Sequence, residues 1–197
     1  MIDMSYRVAG LDPSLTGFGV AVTSGPGVMP LLYRLASRLR GHERLEYLRT
    51  EVRRLAEGAD LAVIEGLSFG AKGNTLLELA GLQHVVRHEL WLMGIPYALV
   101  SPAQVKQYMT GKGTADKIAV AMALARKLPR VELLSEDESD ALAAACMGAH
   151  WAGEPLFEPT KAQAEVLYAK WATKGKKGLP KIAWPDMGRA PDVPALV

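Results

Sequence analysis

Four consecutive apolar residues, Leu61, Ala62, Val63 and Ile64, run without a break into a single acid, Glu65. A strand with no polar residue on either side has to be covered on both faces, so a chain that contains it needs helices above and below a sheet. The flanking sequence provides them. Over 42–57, Leu45, Leu48, Val52 and Leu55 recur at spacings of three and four, which predicts an amphipathic helix stopped by Gly58. Over 75–93, Leu76, Leu79, Leu82, Val86, Leu90 and Met93 keep the same spacing and predict the longest helix, ending at Gly94.

Two further strands are predicted at 6–11 and 18–23, with Pro13, Ser14, Thr16 and Gly17 providing turn chemistry between them. After the breaker Gly25-Pro26-Gly27, residues 31–36 give a third strand and 97–100 a short fifth. Pro102 opens a helix that runs to about Met109, and 114–128 and 137–151 read as two more. The expected fold is α/β, a five-stranded mixed sheet with its first three strands antiparallel and helices on both faces. No internal repeat is visible. At 197 residues there is room for one such domain, assigned to 1–153, followed by a basic C-terminal extension over 154–197 with one short helix at 161–171.

Charge is uneven. The chain carries only +2 overall, yet residues 161–181 hold six lysines against one acid, Glu165, a local +5 that suits a polyanionic partner. Lys170, Lys174, Lys176 and Lys177 with Trp171 and Trp184 form either a DNA-gripping segment or a solubilising end. The lone Cys146 excludes a disulfide or cysteine–zinc framework and reads as a small buried thiol. No stretch approaches the roughly eighteen apolar residues of a membrane span. The expectation is a cytoplasmic protein of a bacterial cell or phage-infected host, with no membrane partner. His42, His84, His88 and His150 show no ligand spacing.

The acids carry the chemistry. Asp12 ends the first strand, Glu65 ends the fourth, and Asp137 and Asp140 lie three apart on one face of a helix. If the first and fourth strands are neighbours, Asp12 and Glu65 project from the same sheet edge, and a helix packing across that edge would bring in Asp140. Clustered carboxylates repel one another unless a cation neutralises them. An all-oxygen ligand set favours Mg²⁺ or Mn²⁺ over zinc, and two such ions about 3.5–4 Å apart suit phosphodiester hydrolysis. Each acid alone also has an ordinary reading, as a turn former after a strand or a favourable charge at a helix N-terminus.

Four successive blocks are more specific: Gly10-Leu-Asp-Pro-Ser-Leu-Thr-Gly-Phe-Gly-Val20, Ile64-Glu65, Val105-Lys-Gln-Tyr-Met-Thr-Gly-Lys-Gly-Thr-Ala-Asp-Lys117, and Asp137-Glu-Ser-Asp-Ala-Leu142. In this order they resemble the RuvC family of Holliday-junction resolvases, crossover junction endodeoxyribonucleases of the ribonuclease-H-like superfamily. The extension past residue 153 is compatible with a phage-type member. The resemblance implies a ribonuclease-H-like domain that acts as a homodimer on branched DNA such as the four-way junction. It implies cleavage with two Mg²⁺ (or Mn²⁺) ions per site, leaving 5′-phosphate ends.

By position, the resemblance assigns metal binding and catalysis to Asp12, Glu65, Asp137 and Asp140. Lys117 joins the catalytic group, and Lys106 and Lys117 become contacts to the DNA backbone. Lys112, between Gly111 and Gly113, is read as DNA-binding. Phe69 matches an aromatic that stacks on a base near the junction centre; packing into the core is its alternative. The stripe Leu76, Leu79, Leu82 and Val86 is either core or dimer interface. A branch-migration partner and a cut-site preference are not legible.

Two rival readings follow from the same residues. Asp12-Pro-Ser-Leu-Thr-Gly-Phe-Gly also resembles the first phosphate loop of actin-like ATPases, although those need a second related domain and no second copy of the motif is visible. A non-catalytic junction-binding protein with structural acids is the other.

Overall fold

The computed structural model describes residues 5–67, 73–132 and 135–169. Ser14 makes the first turn: its hydroxyl accepts from the backbone N–H groups of Thr16 (3.3 Å) and Gly17 (3.4 Å), folding β1 (Arg7–Asp12) back onto β2 (Phe18–Ser24). Next come β3 (Leu31–Leu35), α1 (Gly41–Ala56), β4 (Leu61–Glu65), α2 (Asn74–Leu92), β5 (Tyr97–Val100), α3 (Pro102–Thr110), α4 (Lys117–Lys127), α5 (Glu136–Trp151) and α6 (Lys161–Ala169). The sheet order is β3-β2-β1-β4-β5, with β1 to β3 antiparallel and β1, β4 and β5 mutually parallel. This is the ribonuclease-H-like α/β architecture expected from the sequence. Among the described residues, no helix is long and apolar enough to cross a membrane.

Strand alternation sorts the core into two layers. Ala9 and Leu11 of β1 and Ala62 and Ile64 of β4 pack against Leu48, Val52 and Leu55 of α1 and Leu82, Val86 and Leu90 of α2. Val8, Leu61 and Val63 point the other way, onto α3, α4 and α5. Continuing the period of two from Val8 and Gly10, and from Leu61 and Val63, puts Asp12 and Glu65 on the α5 side of the sheet. Leu11 pairs with Ile64, one residue before each acid, so the two strands deliver their carboxylates side by side.

α5 is the central helix of that layer, buried from Glu138 to Ala149. Its face is built of small residues, Ala141, Ala144, Ala145 and Gly148, and the sheet answers with glycines. A Cβ at Gly10 would lie 2.0 Å from the Ala141 carbonyl oxygen, one at Gly19 would lie 2.0 Å from that of Asp137, and one at Gly148 would lie 2.6 Å from Val8. Backbone therefore rests nearly on backbone, and the N-terminal turn of α5 is set down beside the end of β1.

Boundaries differ from the sequence reading where caps intervene. The helix expected from residue 114 begins at Lys117, because the Asp116 carboxylate accepts from the Ala119 N–H (2.7 Å) and caps it. α6 packs on α3: Leu167 is buried, and the Gln163 amide donates to the Tyr108 carbonyl (2.9 Å). The described part of the extension thus rests on the body, while residues 170–197, with the tail lysines and both tail tryptophans, lie outside the described residues.

On the opposite layer, the fully buried Glu89 of α2 accepts from Arg49 (2.6 Å) and pairs with Arg53, both from α1. Buried charge is tolerated only when partnered. Glu89→Ala is expected to destabilise the fold by about 2–3 kcal/mol, through lost charge-assisted bonds and a cavity between the helices. Glu89→Gln should lose less. Urea denaturation of both variants checks this.

Candidate active site

Each of the four acids comes from a different position on the scaffold. Asp12 and Glu65 close adjacent parallel strands; Asp137 and Asp140 lie in the first turns of α5, whose N-cap is Ser135, its hydroxyl accepting from the Glu138 N–H (3.2 Å). Because Ser135 does the capping, Asp137 is free to face the β2–β3 side instead. Gln83 of α2, 8% exposed, donates to the Glu65 carbonyl (3.1 Å), and the Gly66 N–H donates to the Val100 carbonyl (2.7 Å). Together these fix the end of β4.

The acids sense one another. The Asp12 carboxyl is pushed up to about 7, first by burial and then by the charges of Asp140 and Asp137, with Lys117 pulling it down. Glu65 is pushed up to about 8 by burial, then by Asp12 and Asp140, eased by Lys117 and Lys106. Asp140 is raised too, mainly by burial, against the opposing pull of Lys117 and Lys106. The structure thus brings Asp12, Glu65 and Asp140 into one electrostatic unit, with Asp137 at its margin.

Cations border this unit. The Lys117 ammonium lies 3.5 Å from Asp140 and 3.4 Å from Glu136. Burial works against its charge, but Asp140, Glu136 and Asp12 outweigh this and hold its pKa above the ordinary lysine value. Lys117 is also the first residue of α4, where the helix dipole disfavours a cation. A lysine kept at such a place is held there by the acids opposite. Arg34 of β3 donates from Nε to Asp137 Oδ2 (2.8 Å). Lys106 is half-buried on α3, and Lys112 is exposed in a turn pinned by the Thr110 hydroxyl, which accepts from the Lys112 N–H (3.2 Å). Phe69 falls outside the described residues.

As donors, four carboxylates on one edge match a hard divalent cation, and their mutual repulsion calls for one. Among the described residues, no three acids, histidines or cysteines are already drawn into a metal-ligating group. Instead, Asp137 is engaged by Arg34 and Asp140 by Lys117. A cavity of about 750 Å³ between α3 and α6, lined by Gln104, Tyr108, Lys127 and Gln163 among others, contains none of the four acids.

The expected interface stripe divides. Leu82 and Val86 are fully buried in the chain's own core, so their place at a subunit surface is corrected: the periodicity marked a packed face without saying what it packs on. Leu76 and Leu79 remain half-buried, beside the exposed Leu77. Sequence reasoning missed Arg34, Gln83 and Glu136. Gln83, a polar residue next to Leu82 on the apolar face of α2, carried a faint signal; Glu136 belongs to a visibly acidic first turn; Arg34 carried none.

Comparison with known proteins agrees with the fold. The family model described as "Crossover junction endodeoxyribonuclease RuvC" matches residues 8–148. Crossover junction endodeoxyribonuclease RuvC of Hyphomonas neptunium is 32% identical over 151 residues, covering 73% of this chain and 90% of the relative. That of Gloeobacter violaceus is 34% identical, covering 72% and 87%. Among solved structures, Thermus thermophilus RuvC superposes with a TM-score of 0.62 at 22% identity, covering 78% of this chain and 99% of the other. The same protein in complex with Holliday junction substrate gives a TM-score of 0.65 at 23% identity, covering 79% and 99%. The two structures share the fold, and the sequence matches go further: this chain belongs to the family of crossover junction endodeoxyribonuclease RuvC.

Proposed function

We propose that this chain is a structure-selective endonuclease that hydrolyses phosphodiester bonds in four-way DNA junctions, with Asp12, Glu65, Asp137 and Asp140 holding two Mg²⁺ or Mn²⁺ ions. One observation supports this above the others: Asp12 and Glu65 end neighbouring parallel strands on the α5 side and share one electrostatic field with Asp140. Bound divalent ions would supply the positive charge and acidity that phosphodiester hydrolysis requires. Asp12 and Glu65 would have to release their protons to hold them, so metal affinity should rise through pH 7–8.

Lys117 and Lys106 then have a clear task. Both pull on the acid cluster from its rim, where a phosphate approaching the acids would meet them. Lys117→Met is expected to lower the cleavage rate about a hundredfold, with a far smaller effect on junction affinity; single-turnover kinetics and binding isotherms separate the two. Lys112 would grip the backbone farther out, and Phe69 would stack on an unpaired base. A homodimer, packed through the α2 face that includes Leu76 and Leu79, would present two sites to the two strands that must be cut. The basic segment after Ala169 would add non-specific affinity, and removing it should flatten the salt dependence of binding.

The test compares four-way, three-way, flap and linear duplex DNA with Mg²⁺ and with Mn²⁺, mapping each cut. Paired symmetric cuts in the four-way junction and slow attack on linear duplex are expected. Equal cleavage of all four, or none of any, would overturn the assignment.

A further inference from the structure

Arg34 takes no part in the role just proposed, yet it touches the acid cluster directly. Its Nε donates to Asp137 Oδ2 at 2.8 Å, joining β3 to α5 across 103 positions of sequence. Strand alternation explains the reach: Leu32, two residues earlier, also packs on the α5 layer, whereas Tyr33 and Leu35 pack on the other. The Arg34 and Asp137 side chains are 44% and 21% exposed. Pairs so open to water contribute little to folding.

The surroundings are nevertheless shaped around the pair. A Cβ at Gly17 would lie 2.3 Å from Asp137 Oδ2 and 2.7 Å from an Arg34 terminal nitrogen, so the first turn leaves room for this contact only by lacking a side chain there. Asp140 has its own cation, Lys117, while among the described residues Asp12 and Glu65 form no ion pair and remain in each other's field. The two α5 acids are therefore each held by an internal cation, and three ligating groups are not assembled among the described residues.

We infer that Arg34 is a displaceable counter-ion of the acid cluster: it occupies Asp137 until a divalent cation takes that carboxylate, and so sets how much metal the protein needs to fill its site. This rests on the metal-binding reading of the four acids. Arg34 would act on the metal only through Asp137, by competing for its carboxylate. Competition fixes the sign. Removing the guanidinium leaves Asp137 available and the site more negative, so metal should bind more tightly; a guanidinium that merely held Asp137 in place for the metal would give the opposite.

The experiment is a calorimetric titration of the full-length, DNA-free protein with Mn²⁺, using wild type, Arg34→Gln, Arg34→Lys and Asp12→Asn. Arg34→Gln is expected to tighten Mn²⁺ binding about two- to fivefold, the range open to a partly exposed pair. Arg34→Lys, which keeps the charge, should stay near wild type. Unchanged or weaker binding in Arg34→Gln, or equal tightening in both variants, overturns the inference. So does an Arg34→Gln protein that no longer unfolds cooperatively on heating, since the pair would then be structural. Loss of the metal-site reading itself looks different: wild type would bind no Mn²⁺, or Asp12→Asn would bind as well as wild type.

Discussion

Asp12→Asn and Glu65→Gln are each expected to abolish junction cleavage, by at least about a thousandfold, while leaving junction binding intact or stronger. If the two acids hold metal as proposed, losing one ligand removes several kcal/mol of transition-state stabilisation, and each 1.36 kcal/mol is worth about tenfold. Binding would be spared because, at the proposed site, the removed charge would repel the DNA backbone. The same substitutions should also stabilise the metal-free protein at alkaline pH. Asp12 is raised from 3.8 to about 7, and Glu65 from 4.5 to about 8, when the chain folds. Below about pH 4 both states hold these protons and nothing is lost. Between about pH 4 and 8 the folded state retains protons that the unfolded chain has released, so stability falls as pH rises and levels off above pH 8. Removing either acid removes part of that slope. A gain on the order of 1–2 kcal/mol at pH 8, absent at pH 4, is expected from urea denaturation without divalent ions. A variant equally stable or less stable than wild type at pH 8 would mean that the two acids are not in conflict.

The second large effect lies in the sheet. Gly10→Val should cost more than about 3 kcal/mol and displace the acids of α5 from Asp12. Any Cβ at Gly10 meets backbone on the facing helix: the Ala141 carbonyl oxygen at 2.0 Å and the Ala145 nitrogen at 2.5 Å. Backbone cannot rotate away as a side-chain end can, so α5 must lift as a unit. Gly81→Ala is the contrast. It lies inside α2 with nothing within 4 Å of the added carbon, and should gain about 0.5–1 kcal/mol from helix propensity. Thermal denaturation of the two variants side by side separates close approach from a general intolerance of glycine replacement.

The strands and helices were legible because their signals are local. The unbroken apolar run at 61–64 required a doubly covered strand, and the turn residues at 13–17 required a hairpin. Since Asp12 and Glu65 lie at strand ends, their meeting followed once β1 and β4 were neighbours, and the four motif blocks carried the family. What stayed hidden depends on contacts between distant segments. Nothing around Arg34 marks it as the partner of Asp137, because that contact exists only once β3 and α5 share a layer. Gly10 and Gly19 read as turn or strand glycines until α5 is laid against them. The stripe on α2 showed an apolar face, but Leu82 and Val86 face α1 and the sheet rather than solvent. Asp116 moved the start of α4 by three residues, and so placed Lys117 at a helix terminus opposite the acids.

The most direct measurement is anomalous scattering from crystals soaked in Mn²⁺ at pH 8. Peaks within bonding distance of Asp12, Glu65 and Asp140 are expected, with the Asp137 carboxylate turned from Arg34 toward the ions. Manganese bound only elsewhere, with Asp140 still on Lys117 and Asp137 still on Arg34, would contradict a metal-dependent site at this edge of the sheet.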